Sequence, residues 1–141
     1  MELKPVTVEA EYNAPVSKVW KALTDKAEMK QWYFDIAEFK PEPGFKFQFM
    51  GGTEDNQYLH KCEIIEVIPQ QKLSYTWQYD GYAGNSLVTF HLYAEGSKTR
   101  VVLTHSGIET FPDDAEDLVR SNFEQGWHHI ITIALPEYLG K

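Results

Sequence analysis

The chain has 141 residues, 43% apolar and 14% aromatic, which is enough for one domain with a substantial core and leaves no room for a second. Thirteen basic and twenty-one acidic residues give a net charge of −8, which disfavours binding to nucleic acid or to an anionic membrane. A single cysteine, Cys62, and the lack of a signal-like or membrane-length apolar run predict a cytoplasmic protein.

The first part of the chain predicts one strand followed by two short helices. Residues 6–12 alternate between apolar and polar side chains, which is typical of a half-buried strand. Pro15 suits the first position of a helix whose apolar stripe covers residues 16–23. Asp25, with Glu28 three residues later, has the spacing of a capping box and predicts the start of a second helix.

The middle of the chain returns to a period of two and predicts an antiparallel sheet. The five further strands are predicted at residues 45–49, 58–68, 73–79, 87–93 and 99–105. The last two strands are joined by a turn around Gly96, which fixes how their residues face each other. The predicted cross-strand pairs, all on one face, are Leu92 with Val101, Phe90 with Leu103, and Val88 with His105.

The last thirty residues predict one long amphipathic helix. Apolar residues recur at helical spacing from about residue 113 to Leu139, and Pro136 predicts a bend near the end. A sheet with one apolar face must bury that face, and only this helix is long enough to cover six strands. We therefore expect a single α+β domain over residues 1–141, in which a curved antiparallel sheet wraps around the helix and the two short helices close one end.

Several ordered motifs resemble a known superfamily. The chain resembles the SRPBCC, or START-like, superfamily, and more narrowly the proteins similar to the C-terminal domain of the activator of the heat-shock protein 90 ATPase. The residues that carry the resemblance are Ala14–Trp20, Leu23-Thr24-Asp25, Trp32, Gly44-x-Phe-x-Phe, Glu63–Pro69, Leu73–Trp77, Val88-Thr89, Thr99–Val101, Leu103–His105 with Gly107, and Gly126-Trp127. Together they cover nearly the whole chain in the order of the family.

The resemblance implies a helix-grip fold with an internal cavity for an apolar ligand. The superfamily includes lipid carriers, hormone receptors, polyketide cyclases and co-chaperone domains, so the fold alone does not choose a function. Aromatic residues on facing elements also fit a cavity wall, although they fit an ordinary packed core as well. The predicted lining is Trp32, Phe47, Phe49, Tyr75, Trp77, Phe90, His105, Phe123, Trp127 and Ile131.

No catalytic set can be recognised in the sequence. No Gly-x-Ser-x-Gly motif occurs, and nothing basic is placed to lower the pKa of Cys62. General acid–base chemistry is open to Glu63, His105 or Tyr75, depending on strand register. The alternation places Glu63 with Ile65 and Val67, so its carboxyl either points into the cavity or lies at the rim or in solvent.

No metal or other cofactor is predicted. His60 and Cys62 lie two residues apart on one strand face, but a zinc site needs three or four ligands. We therefore interpret His60 as a surface residue and Cys62 as a half-buried thiol. His128 and His129 are adjacent on a helix and diverge by about 100°, so they cannot chelate one ion together.

These observations lead to three hypotheses for function. The first is a protein that binds a small hydrophobic or amphipathic ligand, as a monomer or a homodimer. The second is a cofactor-free cyclase, isomerase or hydrolase that uses the same cavity, and the third is a chaperone-interacting module. Gly126 predicts a close packing contact beside Trp127, and a cavity there predicts that Trp127→Ala lowers stability by only about 1–3 kcal/mol.

Overall fold

The computed structural model of the protein describes residues 5–33, 36, 38–52, 57–111 and 120–139. Its elements are β1 (Val6–Tyr12), α1 (Val16–Thr24), α2 (Lys26–Trp32), β2 (Lys46–Gly52), β3 (Gln57–Ile68), β4 (Lys72–Tyr79), β5 (Ser86–Glu95), β6 (Lys98–Ser106), a 3₁₀ turn (Ile108–Thr110), α3 (Arg120–His129), a π-helical turn (Ile130–Ala134) and α4 (Leu135–Leu139).

The six strands form one antiparallel sheet in the order β1-β6-β5-β4-β3-β2. The sheet is curved, and with the C-terminal helix it has the predicted helix-grip arrangement. The three predicted pairs across β5 and β6 are all confirmed, namely Leu92 with Val101, Phe90 with Leu103, and Val88 with His105. Their side chains are buried, because each strand alternates strictly and the short turn leaves one register that buries both apolar sets.

An irregularity in β3 changes which residues face the core. Ile64 pairs with Tyr75 and Glu66 with Ser74, so Ile65 is an extra residue between two rungs of the ladder. Ile64 is therefore 1% exposed, whereas Ile65 is 49% exposed. Beyond this bulge the inward positions shift by one residue along the strand.

The two short helices form where they were predicted, with small differences at their ends. Pro15 is the N-cap of α1 rather than its first helical residue. The Asp25 carboxylate accepts a hydrogen bond of 2.9 Å from the Ala27 amide and caps α2. The reciprocal half of the capping box is absent, because the Asp25 amide already donates to the Lys21 carbonyl. Glu28 accepts a 2.9 Å hydrogen bond from the Tyr138 hydroxyl instead.

The C-terminal segment from Arg120 to Leu139 is continuous helix with one π-helical turn. The predicted start, between residues 110 and 116, lies largely outside the described residues. In the π turn the Leu135 amide donates to the Ile130 carbonyl, five residues earlier. Pro136 has no amide hydrogen for the next carbonyl, that of Ile131. The Tyr12 hydroxyl donates to that carbonyl over 2.6 Å, so β1 supplies the hydrogen bond that proline removes.

Candidate functional site

The structure brings the ten predicted lining residues together on the concave side of the sheet. Each of them is at most 8% exposed. We call this set the inner cluster, and it consists of Trp32, Phe47, Phe49, Tyr75, Trp77, Phe90, His105, Phe123, Trp127 and Ile131. Its members come from α2, four strands and the C-terminal helix, so only the folded chain assembles it.

Trp127 lies at the centre of the inner cluster. Its ring centroid is 5.4 Å from that of Trp77 on β4 and 6.1 Å from that of Phe90 on β5. It is also 6.3 Å from the ring of Tyr33, which follows α2 directly. The long helix, the sheet and the residue that follows α2 therefore converge at this side chain.

His105 is held by hydrogen bonds on both ring nitrogens. The Trp127 indole donates to Nδ1 over 2.8 Å, and Nε2 lies 2.7 Å from the Ser86 hydroxyl. The Ser86 hydroxyl donates to the Trp77 carbonyl over 2.9 Å. Because Nδ1 must accept, the hydrogen of the neutral ring is on Nε2 and is donated to Ser86. The chain of donors therefore runs from Trp127 through His105 and Ser86 to Trp77.

This arrangement keeps His105 uncharged. Burial lowers the pKa of His105 to about 3, since a charged ring here would lose its water. Protonation would also give the ring a second hydrogen, on Nδ1, where it would face the indole hydrogen of Trp127. The lone pair that a general base needs is thus already used by Trp127.

Tyr33 belongs to the site, although the sequence did not identify it as a lining residue. Its hydroxyl lies 2.8 Å from that of Tyr75, and either oxygen can be the donor. Its ring is 5.0 Å from Trp32 and 6.3 Å from Phe49. Burial is the main cause that raises the pKa of both tyrosines, so both hydroxyls stay neutral. The adjacent aromatic pair at the end of the predicted second helix was the available signal.

An open groove of about 540 Å³ lies between α2 and α4 and reaches the inner cluster. Trp32 and Tyr33 lie on its α2 side, and Ala134 and Tyr138 lie on the side of the C-terminal helix. Tyr33 is half-buried, because one part of its side chain contacts the inner cluster and another part faces this groove. The groove wall and the inner cluster therefore share Trp32, and Tyr33 connects the two.

The sequence analysis also considered three residues of β3, namely Glu63, His60 and Cys62, and Glu63 faces away from the inner cluster. Glu63 pairs with Lys46 of β2 and lies with it in a second groove, on the outer face of the sheet. The alternation cannot be carried back from the inward-facing Val67 to Glu63, because the bulge at Ile65 lies between the two residues. Glu63 is consequently not available to the inner cluster.

His60 and Cys62 both face the core. The interpretation of His60 as a surface residue is wrong, because it is 6% exposed and its ring stacks on Phe49 at 4.6 Å. Burial raises the pKa of the Cys62 thiol, which removes it as a nucleophile. In the described part of the chain, no group of three or more histidine, cysteine or acidic residues is arranged to hold a metal ion.

Gly126 does not make the close contact that the sequence suggested. Gly126 is exposed, and a Cβ placed on it would meet no described atom within 4 Å. The glycine faces solvent because it precedes the inward-facing Trp127 by about 100° around the helix. Its presence therefore has no packing explanation among the described residues.

Comparison with known proteins places this fold in a family. The sequence model described as "Activator of Hsp90 ATPase homolog 1-like protein" matches residues 13–140. No curated protein matches the sequence significantly. None of the helices in the described ranges is long and apolar enough to cross a membrane.

Solved structures share the fold over almost the whole chain. Protein MLL2253 from Mesorhizobium loti is 28% identical, with a TM-score of 0.77 and 97% of each chain covered. BH1534 from Bacillus halodurans is 27% identical, with a TM-score of 0.75 and 98% of each chain covered. DynU16, a protein of the dynemicin biosynthetic locus, is 21% identical with a TM-score of 0.78. The match covers 99% of this chain and 48% of DynU16, so the present chain spans about half its length.

Proposed function

The chain belongs to the family of Activator of Hsp90 ATPase homolog 1-like proteins, and on this premise we propose that it binds a small apolar or amphipathic molecule at the inner cluster. The observation that carries the proposal is that the same side chains line the groove and pack into the cluster. Trp32 and Tyr33 belong to the groove wall, and Tyr33 also contacts Trp127 and Phe49 inside.

The chemistry of the inner cluster suits an apolar guest. Aromatic side chains dominate it, and the polar groups among them are neutral and hydrogen-bonded, as in the Trp127–His105–Ser86 chain. Small-molecule sites are typically apolar and concave, with a few polar groups that fix orientation. At its outer end the groove carries Lys30 and Glu137, which lets a polar end of an amphipathic molecule stay in water.

Binding fits the site better than catalysis does. The lone pair of His105 is used by Trp127, the Cys62 thiol has a raised pKa, and Glu63 lies on the outer face. The described residues thus offer no nucleophile beside a free base. A chaperone partner and a cytoplasmic location remain predictions of the sequence.

Two measurements test the proposal. Native mass spectrometry of freshly purified protein should reveal a co-purifying small molecule, whose chemistry can then be identified. Titration with an environment-sensitive apolar dye should give saturable binding that the extracted molecule displaces.

A matched pair of variants locates the binding. Trp127→Ala should change dye affinity, because it removes the central ring of the cluster, whereas Ile133→Ala should not, because Ile133 is 44% exposed on the same helix segment. Absence of both a bound molecule and saturable dye binding in the folded parent protein would contradict the proposal.

A further inference from the structure

Tyr33, the residue directly after α2, places its phenol ring against the inner cluster. Its ring is nearly parallel to those of Trp32 and Trp127, at 30° and 28° respectively, and it lies between the groove and the interior. Its hydroxyl reaches the Tyr75 hydroxyl at 2.8 Å. The two residues are 42 positions apart in sequence, so this contact is made by the fold and not by local geometry.

Tyr75 supplies the buried hydroxyl at the inner end of this contact. Tyr75 is 1% exposed on β4, with the ring of Phe47 at 5.1 Å and that of Phe90 at 6.0 Å. A hydroxyl in such surroundings is strongly destabilised when its hydrogen-bond partner is removed. A guest that displaces the Tyr33 ring must therefore replace its oxygen as well as its aromatic surface.

We propose that Tyr33 is an internal substitute for the ligand, and that the site selects molecules with a flat ring carrying a hydroxyl or carbonyl oxygen. Such a molecule enters by the groove between α2 and α4, moves the Tyr33 side chain aside and bonds to the Tyr75 hydroxyl. Tyr75 is then the specificity-determining residue, and Tyr33 competes with the ligand. This inference rests on the proposed function, because it names the ligand class of the same site.

The preference for a ring that carries an oxygen follows from what each guest does to the Tyr75 hydroxyl. A hydroxyl or carbonyl oxygen restores the hydrogen bond of Tyr75, and the phenol of Tyr75 can donate or accept as required. A hydrocarbon of the same shape leaves that hydroxyl unpaired in a dry site. Sites built around a hydrogen bond reject the analogue that lacks it more strongly than apolar pockets reject a missing methylene group.

The test uses 2-naphthol and 2-methylnaphthalene, which have similar shapes and differ in the presence of the oxygen. Equilibrium dialysis gives the Kd of each probe for the parent protein, Tyr75→Phe and Tyr33→Phe. We expect Tyr75→Phe to weaken 2-naphthol about tenfold relative to 2-methylnaphthalene, the size of one net hydrogen bond. Taking the ratio of the two probes removes their different hydrophobicities.

Tyr33→Phe should have the opposite effect. Its ring can still cover the cluster, but it no longer supplies an oxygen to Tyr75, so 2-naphthol should bind more tightly than to the parent. Urea melts establish that each variant is folded. The double variant Tyr33→Phe/Tyr75→Phe should be close to the parent in stability, since both partners of the hydrogen bond are removed together.

The outcomes separate the inference from the proposed function. Equal changes for both probes in Tyr75→Phe would overturn the selection of an oxygen while leaving apolar binding in place. If neither probe binds to the parent, to Tyr33→Phe or to Tyr33→Ala, in which the ring is removed, the proposed function fails and this inference fails with it.

Discussion

Arg100 and His105 lie on the same strand, β6, and face opposite sides of the sheet. On the outer side the Arg100 guanidinium is 3.1 Å from the Glu9 carboxylate, with the two side chains 39% and 59% exposed. On the inner side His105 is fully buried between Trp127 and Ser86. Water competes with the first contact and is excluded from the second.

The difference shows where this fold depends on particular polar contacts. Exposed ion pairs contribute about 0–1 kcal/mol, because each charge is nearly as well solvated when it is alone. A buried donor or acceptor that loses its partner costs about 1–3 kcal/mol, because nothing replaces the lost hydrogen bond. Four predictions test this contrast.

Trp127→Ala should have the largest effect, a loss of about 3–5 kcal/mol in the free energy of unfolding. This is more than the sequence alone suggested, because the change removes a large buried ring and also the donor to His105. Gly126→Ala, at the exposed neighbouring position, should instead raise stability by about 0.5–1 kcal/mol. Urea unfolding measures both, and a loss below about 2 kcal/mol for Trp127→Ala would indicate empty space beside the indole.

Acid should destabilise the protein through its buried histidines. In the unfolded chain a histidine has a pKa of about 6.5, whereas burial lowers the pKa of His105 to about 3 and that of His60 to about 4. Below pH 6.5 the unfolded state therefore binds protons that the folded state does not. Each histidine should reduce the free energy of unfolding by about 1.4 kcal/mol per pH unit until its folded pKa is reached.

The variant His105→Gln isolates this effect, because an amide can accept from Trp127 and donate to Ser86 without titrating. Its stability should fall less steeply than that of the parent between pH 6 and pH 4.5, by about 1.4 kcal/mol per unit. Identical slopes for the parent and His105→Gln would mean that His105 is charged in the folded protein.

Tyr12→Phe should cost about 1–3 kcal/mol, because it leaves the buried carbonyl of Ile131 without its donor. Tyr138→Phe removes a hydroxyl that bonds to Glu28 in a half-buried position, so its effect should be smaller. In a Pro136→Ala background an amide becomes available near the π turn, and Tyr12→Phe should then cost less. Additive effects of Tyr12→Phe and Pro136→Ala would show that the hydroxyl does not compensate for the proline.

The outer pair should give the smallest effect. A double-mutant cycle with Glu9→Gln and Arg100→Gln should return a coupling of about 0.2–1 kcal/mol. That coupling should decrease further at 1 M salt, where exposed charges are screened. A coupling above about 2 kcal/mol, unaffected by salt, would remove the contrast between the two faces of β6.

The sequence predicted the helices and strands well where the hydrophobic periodicity of a single element was enough to define them. The strands β5 and β6 alternate strictly and share a short turn, so their limits and their three cross-strand pairs could be predicted. The ten residues of the inner cluster are buried, and the burial of an apolar face can be expected from its period alone, although their role as the lining of a ligand site stays a prediction. Whether a ligand occupies that cluster stays a prediction.

Prediction was weaker where two elements had to meet. The bulge at Ile65 reverses the alternation of β3, and no residue there announces it, so the orientation of Glu63 stayed open. The interpretation of His60 as a surface residue rested on the lack of further metal ligands in the sequence, whereas the fold stacks its ring on Phe49. Gly126 was assigned a packing role that the helix orientation excludes.

The sequence by itself determined the order of elements, the apolar faces and the register of β5 with β6. These depend on interactions between residues that are close along the chain, or on a periodicity that every residue of an element shares. Only the tertiary structure decided that Tyr33 meets Tyr75, that Trp127 uses the lone pair of His105, and that Tyr12 bonds to Ile131. Each is a contact between elements far apart in sequence, where direction and distance depend on how the sheet curves around the helix.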